Sequence, residues 1–213
     1  MNATLPYTFS KDDVALLSNE ILWQHPIGFM NIRRIRYQYP VFGCEKTYTV
    51  NRHIVEKSAC VIALPYDPCL DAVVLIEQVR PAQVLTGSDS PCSYELCAGI
   101  VDDGESPLAT ALRELQEESG IDAKNGRVEE IASYWNSPGM STEKLHLFCI
   151  EVDATQYSEF SGLDEEHESI KVSVVPSDQF IAILDAGGFD NGGMLVSGLW
   201  FARHRDRLRR QWV

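Results

Sequence analysis

Glu114, Glu117 and Glu118 are the residues whose types and spacing most directly suggest chemistry. On a helix they fall at i, i+3 and i+4 and share one face. Like charges so placed destabilise a helix by roughly 0.2–0.5 kcal/mol per pair. Negative charge in the C-terminal half also opposes the helix dipole. A bound cation would relieve both, and hard carboxylate oxygens suit Mg²⁺ or Mn²⁺. Carboxylates alone more often mean a solvated acidic face. Here the neighbours shift the balance: Gly99, Gly104, Glu105, Arg113 and Gly120 stand at fixed distances around them.

The element that must position these groups can be read locally. Gly99 and Gly104 flank an acidic turn, Val101-Asp102-Asp103, where glycine permits backbone angles other residues resist. Ser106 suits an N-cap and Pro107 the first helical position. The helix runs to about Ser119, and Gly120 ends it. Leu108, Leu112 and Leu115, at i, i+4 and i+7, are the expected buried stripe, with the three glutamates on the opposite side.

The stretch Gly99–Ile121, GIVDDGESPLATALRELQEESGI, matches every fixed position of the Nudix box and resembles the metal-binding loop–helix–loop of Nudix hydrolases. The resemblance implies an α/β fold, an α/β/α sandwich with a mixed sheet, to which a small N-terminal β-sheet subdomain is added. It implies that Glu114 and Glu118 bind metal with help from Glu117 and the carbonyl of Ala98. Glu105 and Arg113 would brace the loop, and Gly99 and Gly120 would shape it.

Outside the box, residues 58–80, the segment YELCAGIVDDGES and Ser137-Pro138-Gly139 through Glu143 are similar to the bacterial ADP-ribose pyrophosphatase branch of that family. Gly162-Leu163-Asp164-Glu165-Glu166-His167-Glu168 is similar to its catalytic acidic loop. The resemblance implies Mg²⁺-dependent (Mn²⁺ is the other candidate) hydrolysis of ADP-ribose to AMP and ribose 5-phosphate, with Glu166 as base and Glu168 as a further metal ligand. Arg80 would contact the diphosphate. Arg52 would reach a neighbouring subunit's site in a homodimer, and Phe29 would stack on the base. Ser137, Pro138, Gly139 and Glu143 would shape the site near the terminal ribose. Met140 stands where a second glycine is often seen, and the segment 81–92 is distinctive. Another nucleotide sugar (GDP-mannose or an ADP-hexose) and a non-catalytic ADP-ribose sensor are the alternatives.

Composition sets the outer bounds. At 213 residues and 45% apolar content the chain can build one good core and a small accessory unit. No apolar run approaches the roughly 20 residues of a membrane-spanning helix, and the N-terminus lacks the pattern of a signal peptide, so a cytoplasmic location is expected. A net charge of −13 argues against nucleic acid, which needs a basic footprint. It leaves open a small anionic substrate held by local arginine and metal. The six cysteines show no Cys-x-x-Cys spacing, and buried free thiols are expected.

In chain order, residues 1–57 read as a small N-terminal β subdomain, which the resemblance implies is exchanged between subunits, and 58–213 as the hydrolase domain. The N-terminal unit is expected to hold a short helix at 12–22 and strands at 29–39 and 46–55. Strands follow at 59–65, 72–80, 94–98, 128–135, 145–152 and 170–175. Residues 81–92 and 155–169 are expected as loops, and 176–186 and 194–211 as helices. The arginines near the end of the last helix read as a solvated terminus.

Overall fold

The computed structural model describes residues 5–26 and 29–213, the side chain of Glu166 excepted. The chain forms two compact units, one of residues 1–58 with 135–143 and one of 59–134 with 144–213.

The first unit is a three-stranded antiparallel sheet of β1 (Ala15–Gln24), β2 (Met30–Pro40) and β3 (Thr47–Lys57), in that order. β2 and β3 pair without a slip from Met30↔Lys57 to Pro40↔Thr47. The helix expected at 12–22 is instead β1, preceded by a single 3₁₀ turn at Lys11–Asp13. Register shifts between Leu16 and Ser18 and between Ile21 and Trp23 break its period-two alternation, so the sequence does not read as a strand. All ten residues of β1 are exposed, Leu16, Leu17, Ile21, Leu22 and Trp23 among them. The segment 135–143 joins this unit through Val55, whose amide donates to Met140 O while its carbonyl accepts from Thr142 N.

The second unit is built on a mixed sheet. β4 (Cys60–Asp67) lies parallel to β9 (Lys144–Glu151), with β8 (Val128–Trp135) beyond it. On its other side β4 meets β5 (Ala72–Val79) only at Tyr66↔Val73 and Asp67↔Ala72. The two strands then diverge, and β7 (Cys97–Ile100) pairs with β4 while β6 (Cys92–Glu95) pairs with β5. β11 (Ile170–Pro176) and the two-residue β10 (Phe160–Ser161) complete the order. One face packs α2 (Pro107–Ser119) through Ala111 and Leu115 onto Val61, Ala63, Val74 and Ile76. The other face packs α3 (Ser177–Asp185) and α4 (Gly192–Trp212) through Phe180, Leu184, Phe201 and Leu208 onto Leu64, Tyr66, Val73 and Leu75. The result is the α/β/α sandwich expected. Each fully buried Leu or Phe contributes roughly 1.5–3 kcal/mol.

Four local expectations are corrected. Residues 81–92 are not all loop, because α1 (Pro81–Thr86) starts at its proline and stops at Gly87, whose φ is +68°. The buried stripe of α2 is Ala111, Leu115, Glu118 and Ser119, while Leu108 is exposed and Leu112 only partly buried. The helix is therefore rotated so that Glu118 faces the sheet. Only Cys97 and Cys149 are buried, Cys44 and Cys69 are exposed, and all six thiols are free. The basic end of α4 is only partly solvated: Arg203 and Arg210 are exposed, but Arg205 pairs with Asp71 and Asp178, Arg207 with Glu129 and Arg209 with Asp71. These pairs fasten α4 to the β4–β5 turn, to α3 and to β8.

Candidate active site

The box helix is placed by its cap and its small residues. The Ser106 hydroxyl accepts from Ala109 N at 3.2 Å, and Gly120 closes the helix at φ +79°. Arg113 gathers the acidic residues around it. Its Nη1 lies 2.9 Å from Glu114 Oε1 and 2.8 Å from Glu117 Oε2, and its Nη2 is 3.3 Å from Glu105 Oε2. Glu105 is also held by the buried Thr110 hydroxyl at 2.7 Å. Glu105, in the loop ahead of the helix, is thus held by both Arg113 and Thr110.

Glu118 is 3% exposed, and its Oε2 accepts from the Ala98 amide at 2.8 Å. Burial pushes this carboxyl well above the usual carboxylate range. The Ala98 amide opposes the shift, and the charges of Glu114 and Glu168 add to it. Glu114 lies in a cradle that only a glycine leaves open, because a Cβ on Gly99 would meet its Oε1 at 1.8 Å. Cys97, beside these carboxylates, is fully buried and its thiol is pushed up by burial, so it is no nucleophile.

The acidic loop is tethered over the same helix. Ser158 N donates to Ser119 O at 2.9 Å and Gly162 N to Glu117 O at 3.4 Å. Gly162 has φ +100°, and a Cβ there would meet Glu168 O at 2.8 Å. Asp164–Glu166 form a 3₁₀ turn that ends on His167 at φ +57°. The side chain of Glu166 lies outside those described, so the structure reports only its backbone.

These groups suit a divalent cation by donor type: carboxylates with a backbone carbonyl, hard oxygens crowded around a buried acid that gains from a positive neighbour. Among the described residues no three His, Cys, Asp or Glu side chains converge as an ion-binding group. Arg113 draws Glu114 and Glu117 to itself, and Ala98 N holds Glu118. A cation would compete with Arg113 for the first two.

Arg80, directly after β5, lies on the same unit. Its Nε donates to Glu95 Oε1 at 2.9 Å and its Nη2 to Glu95 Oε2. That bond raises its pKa further, with Glu118 and Glu168 adding smaller effects in the same direction. Glu95 was not singled out in the sequence. The register Ile76↔Glu95, which turns it toward Arg80, is a tertiary fact.

In the other unit, Arg52, Pro138 and Gly139 line one cleft of about 580 Å³ together with Leu16, Ile35 and Tyr37. Ser137 turns the chain, its carbonyl accepting from Met140 N and Ser141 N. Glu143 is 9% exposed, with Lys57 on one oxygen and Asn136 Nδ2 on the other at 2.6 Å. Phe29 is partly exposed and packs on His25 with ring centroids 4.1 Å apart. Tyr37 lines the cleft too, and its only mark in the sequence was its place in the strand expected at 29–39. A further cavity of about 470 Å³ is lined by Asp67, Asp122, Glu151 and Asp153. Its acids already have partners: Asp67 accepts from three backbone amides and Glu151 is paired with Arg127.

A capped acidic helix behind a glycine turn, on a sheet sandwiched between helices, defines a class, and the NUDIX domain matches residues 57–192. The chain belongs to that family. Over 209 residues it is 36% identical to the ADP-ribose pyrophosphatase of Escherichia coli (strain K12), covering 98% of this chain and 97% of that protein. Over 206 residues it is 37% identical to the ADP-ribose pyrophosphatase of Haemophilus influenzae, covering 96% and 93%. The GDP-mannose pyrophosphatase of Pectobacterium atrosepticum is 32% identical over 145 residues, covering 68% of this chain and 73% of that one. Among the described residues no helix is long and apolar enough to cross a membrane.

Proposed function

We propose that this chain is a homodimeric, Mg²⁺-dependent, cytoplasmic hydrolase that splits the diphosphate of ADP-ribose into AMP and ribose 5-phosphate. The observation that carries the substrate is coverage: similarity to the ADP-ribose pyrophosphatases spans 98% of the chain, including the N-terminal unit, against 68% for the GDP-mannose pyrophosphatase. The acidic helix carries the reaction type, and a net charge of −13 favours a small substrate over nucleic acid. The apolar residues exposed along β1 support a homodimer, since a sheet of three strands buries little by itself.

Glu114, Glu117, Glu118, Glu168 and the carbonyl of Ala98 would hold the cation. When bound, it supplies positive charge to the diphosphate oxygens and makes water more acidic. The rest is done by side chains. Arg80 orients the diphosphate. A water attacks one phosphorus, the bond to the bridging oxygen breaks, and Glu166 takes the water's proton. Glu166 is assigned this role because the box carboxylates would hold the cation and so not accept a proton, and because its loop is tied to the box helix. Phe29 would stack on the base, Arg52 would reach the partner subunit's site, and Ser137, Pro138, Gly139 and Glu143 would shape the site near the terminal ribose; the cleft that Arg52, Pro138 and Gly139 share supports the role of those three.

The test is a panel of ADP-ribose, ADP-glucose and GDP-mannose with Mg²⁺, products resolved by chromatography. ADP-ribose should give AMP and ribose 5-phosphate at the highest kcat/KM. Preference for GDP-mannose would replace the substrate, and binding of ADP-ribose without turnover would make the chain a sensor. Sedimentation equilibrium returning a monomer would remove the homodimer.

A further inference from the structure

We infer that Glu95 is a positioning residue for the reaction: it aims the Arg80 guanidinium and keeps it off the carboxylates of the box. The inference rests on the reading that Arg80 orients the diphosphate.

Glu95 is 8% exposed, and a carboxylate so buried needs a partner. Arg80 supplies one as a two-pronged fork, through Nε and Nη2. A guanidinium has five N–H donors, and the fork uses two, so three remain for other acceptors. The Arg80 backbone is fixed as well. Its amide donates to Pro91 O at 2.9 Å, and its carbonyl accepts from Gln83 N and Val84 N at 3.1 Å each. Backbone and fork together leave the planar group one orientation, where a free arginine would spread over many rotamers.

Glu95 also competes for Arg80. Glu118 and Glu168 both act on the Arg80 charge, after Glu95 itself. Without the fork, the same arm would be drawn onto those carboxylates and neutralise the groups proposed to bind the cation. Geometry concentrates the control in one short segment. Glu95 holds Arg80, and three residues later the Ala98 amide holds Glu118 at 2.8 Å. The end of β6 and the start of β7 therefore set the arginine and the buried acid together.

A double-mutant cycle tests this. Wild type, Glu95→Gln, Arg80→Ala and the double variant are compared in kcat and KM for ADP-ribose at saturating Mg²⁺. Calorimetry gives Kd for α,β-methylene ADP-ribose, and Tm reports folding. Glu95→Gln should weaken analogue binding at least about tenfold and raise KM more than it lowers kcat, with Tm within a few degrees of wild type. The double variant should be no worse than Arg80→Ala. Glu95→Asp, which keeps the charge with a shorter reach, should fall between wild type and Glu95→Gln, and it takes over the cycle if Glu95→Gln does not fold. Losses that add in full, or an analogue Kd unchanged by Glu95→Gln while Arg80→Ala weakens it, would overturn the inference alone. An analogue Kd unchanged by Arg80→Ala would instead remove Arg80 from the diphosphate, and the inference with it.

Discussion

Glu114 lies across Gly99 so closely that a Cβ at that glycine would stand 1.8 Å from its Oε1, 2.0 Å from its Cδ and 2.4 Å from its Cγ. The glycine is therefore spatial and not conformational, since its φ is not in the left-handed region. It lets β7 and α2 close on each other with an ionisable side chain between them.

Gly99→Ala should expel the Glu114 carboxylate while sparing the fold. The atoms in the way end a flexible side chain, so stability should change by no more than about 1 kcal/mol. Displacing a proposed metal ligand by an ångström or more should lower kcat/KM roughly a hundredfold. Thermal melts beside steady-state kinetics check both, and unaltered kcat/KM would mean that the position of Glu114 does not matter to the reaction.

Glu118→Gln separates charge from packing. The raised pKa of Glu118 has a definite sign. In metal-free protein its contribution to stability is fully present below the ordinary value of 4.5 and is lost as pH rises through the raised folded value. With EDTA present, the wild type should lose stability relative to the variant as pH climbs from about 4.5, and Mg²⁺ should raise Tm for the wild type more than for the variant. Turnover should fall roughly 10²–10⁴-fold. A Tm that collapses with activity would make the residue structural.

Glu166→Gln should lower kcat by roughly 10²–10⁴-fold while the Kd of α,β-methylene ADP-ribose moves less than about threefold, because a base acts in the transition state. Glu165→Gln should be far milder. Near-normal kcat at saturating ADP-ribose and Mg²⁺ would place the base elsewhere.

Asp71→Asn should loosen α4 from the sheet. Asp71, at φ +52° in the β4–β5 turn, accepts from Arg205 Nε at 2.9 Å, Arg209 Nη1 at 2.9 Å and the Tyr66 hydroxyl at 3.0 Å. The Arg205 hydrogen bonds hold its carboxyl down at about 2. A depressed acid stabilises above its unfolded pKa and loses that stability as pH falls through the folded one. The variant should be about 2 kcal/mol less stable at neutral pH, and the gap should close as pH drops from about 4 to about 2. Denaturant melts across that range read it, and a gap independent of pH would show that charge is not the cause.

The box was legible in the sequence because its chemistry is local. Ser106, Pro107 and Gly120 fix where a helix begins and ends, and the glutamates recur at helical spacing whatever surrounds them. The short apolar runs of β4, β5, β9 and β11 likewise announced their strands. What the sequence alone left undecided was which way each element turns. Leu108, Leu112 and Leu115 share a helical spacing, yet packing on the sheet selects Ala111, Leu115 and Glu118. Whether Glu118 is buried, and so shifted, follows from that rotation. β1 was misread because its bulges exist only against β2. Glu95 became visible only when β6 paired with β5 and turned it to Arg80. Likewise the C-terminal arginines found Asp71, Asp178 and Glu129, partners 27 to 138 residues away. Spacing along the chain carries no trace of such pairings, because they are made between packed elements and not along one helix.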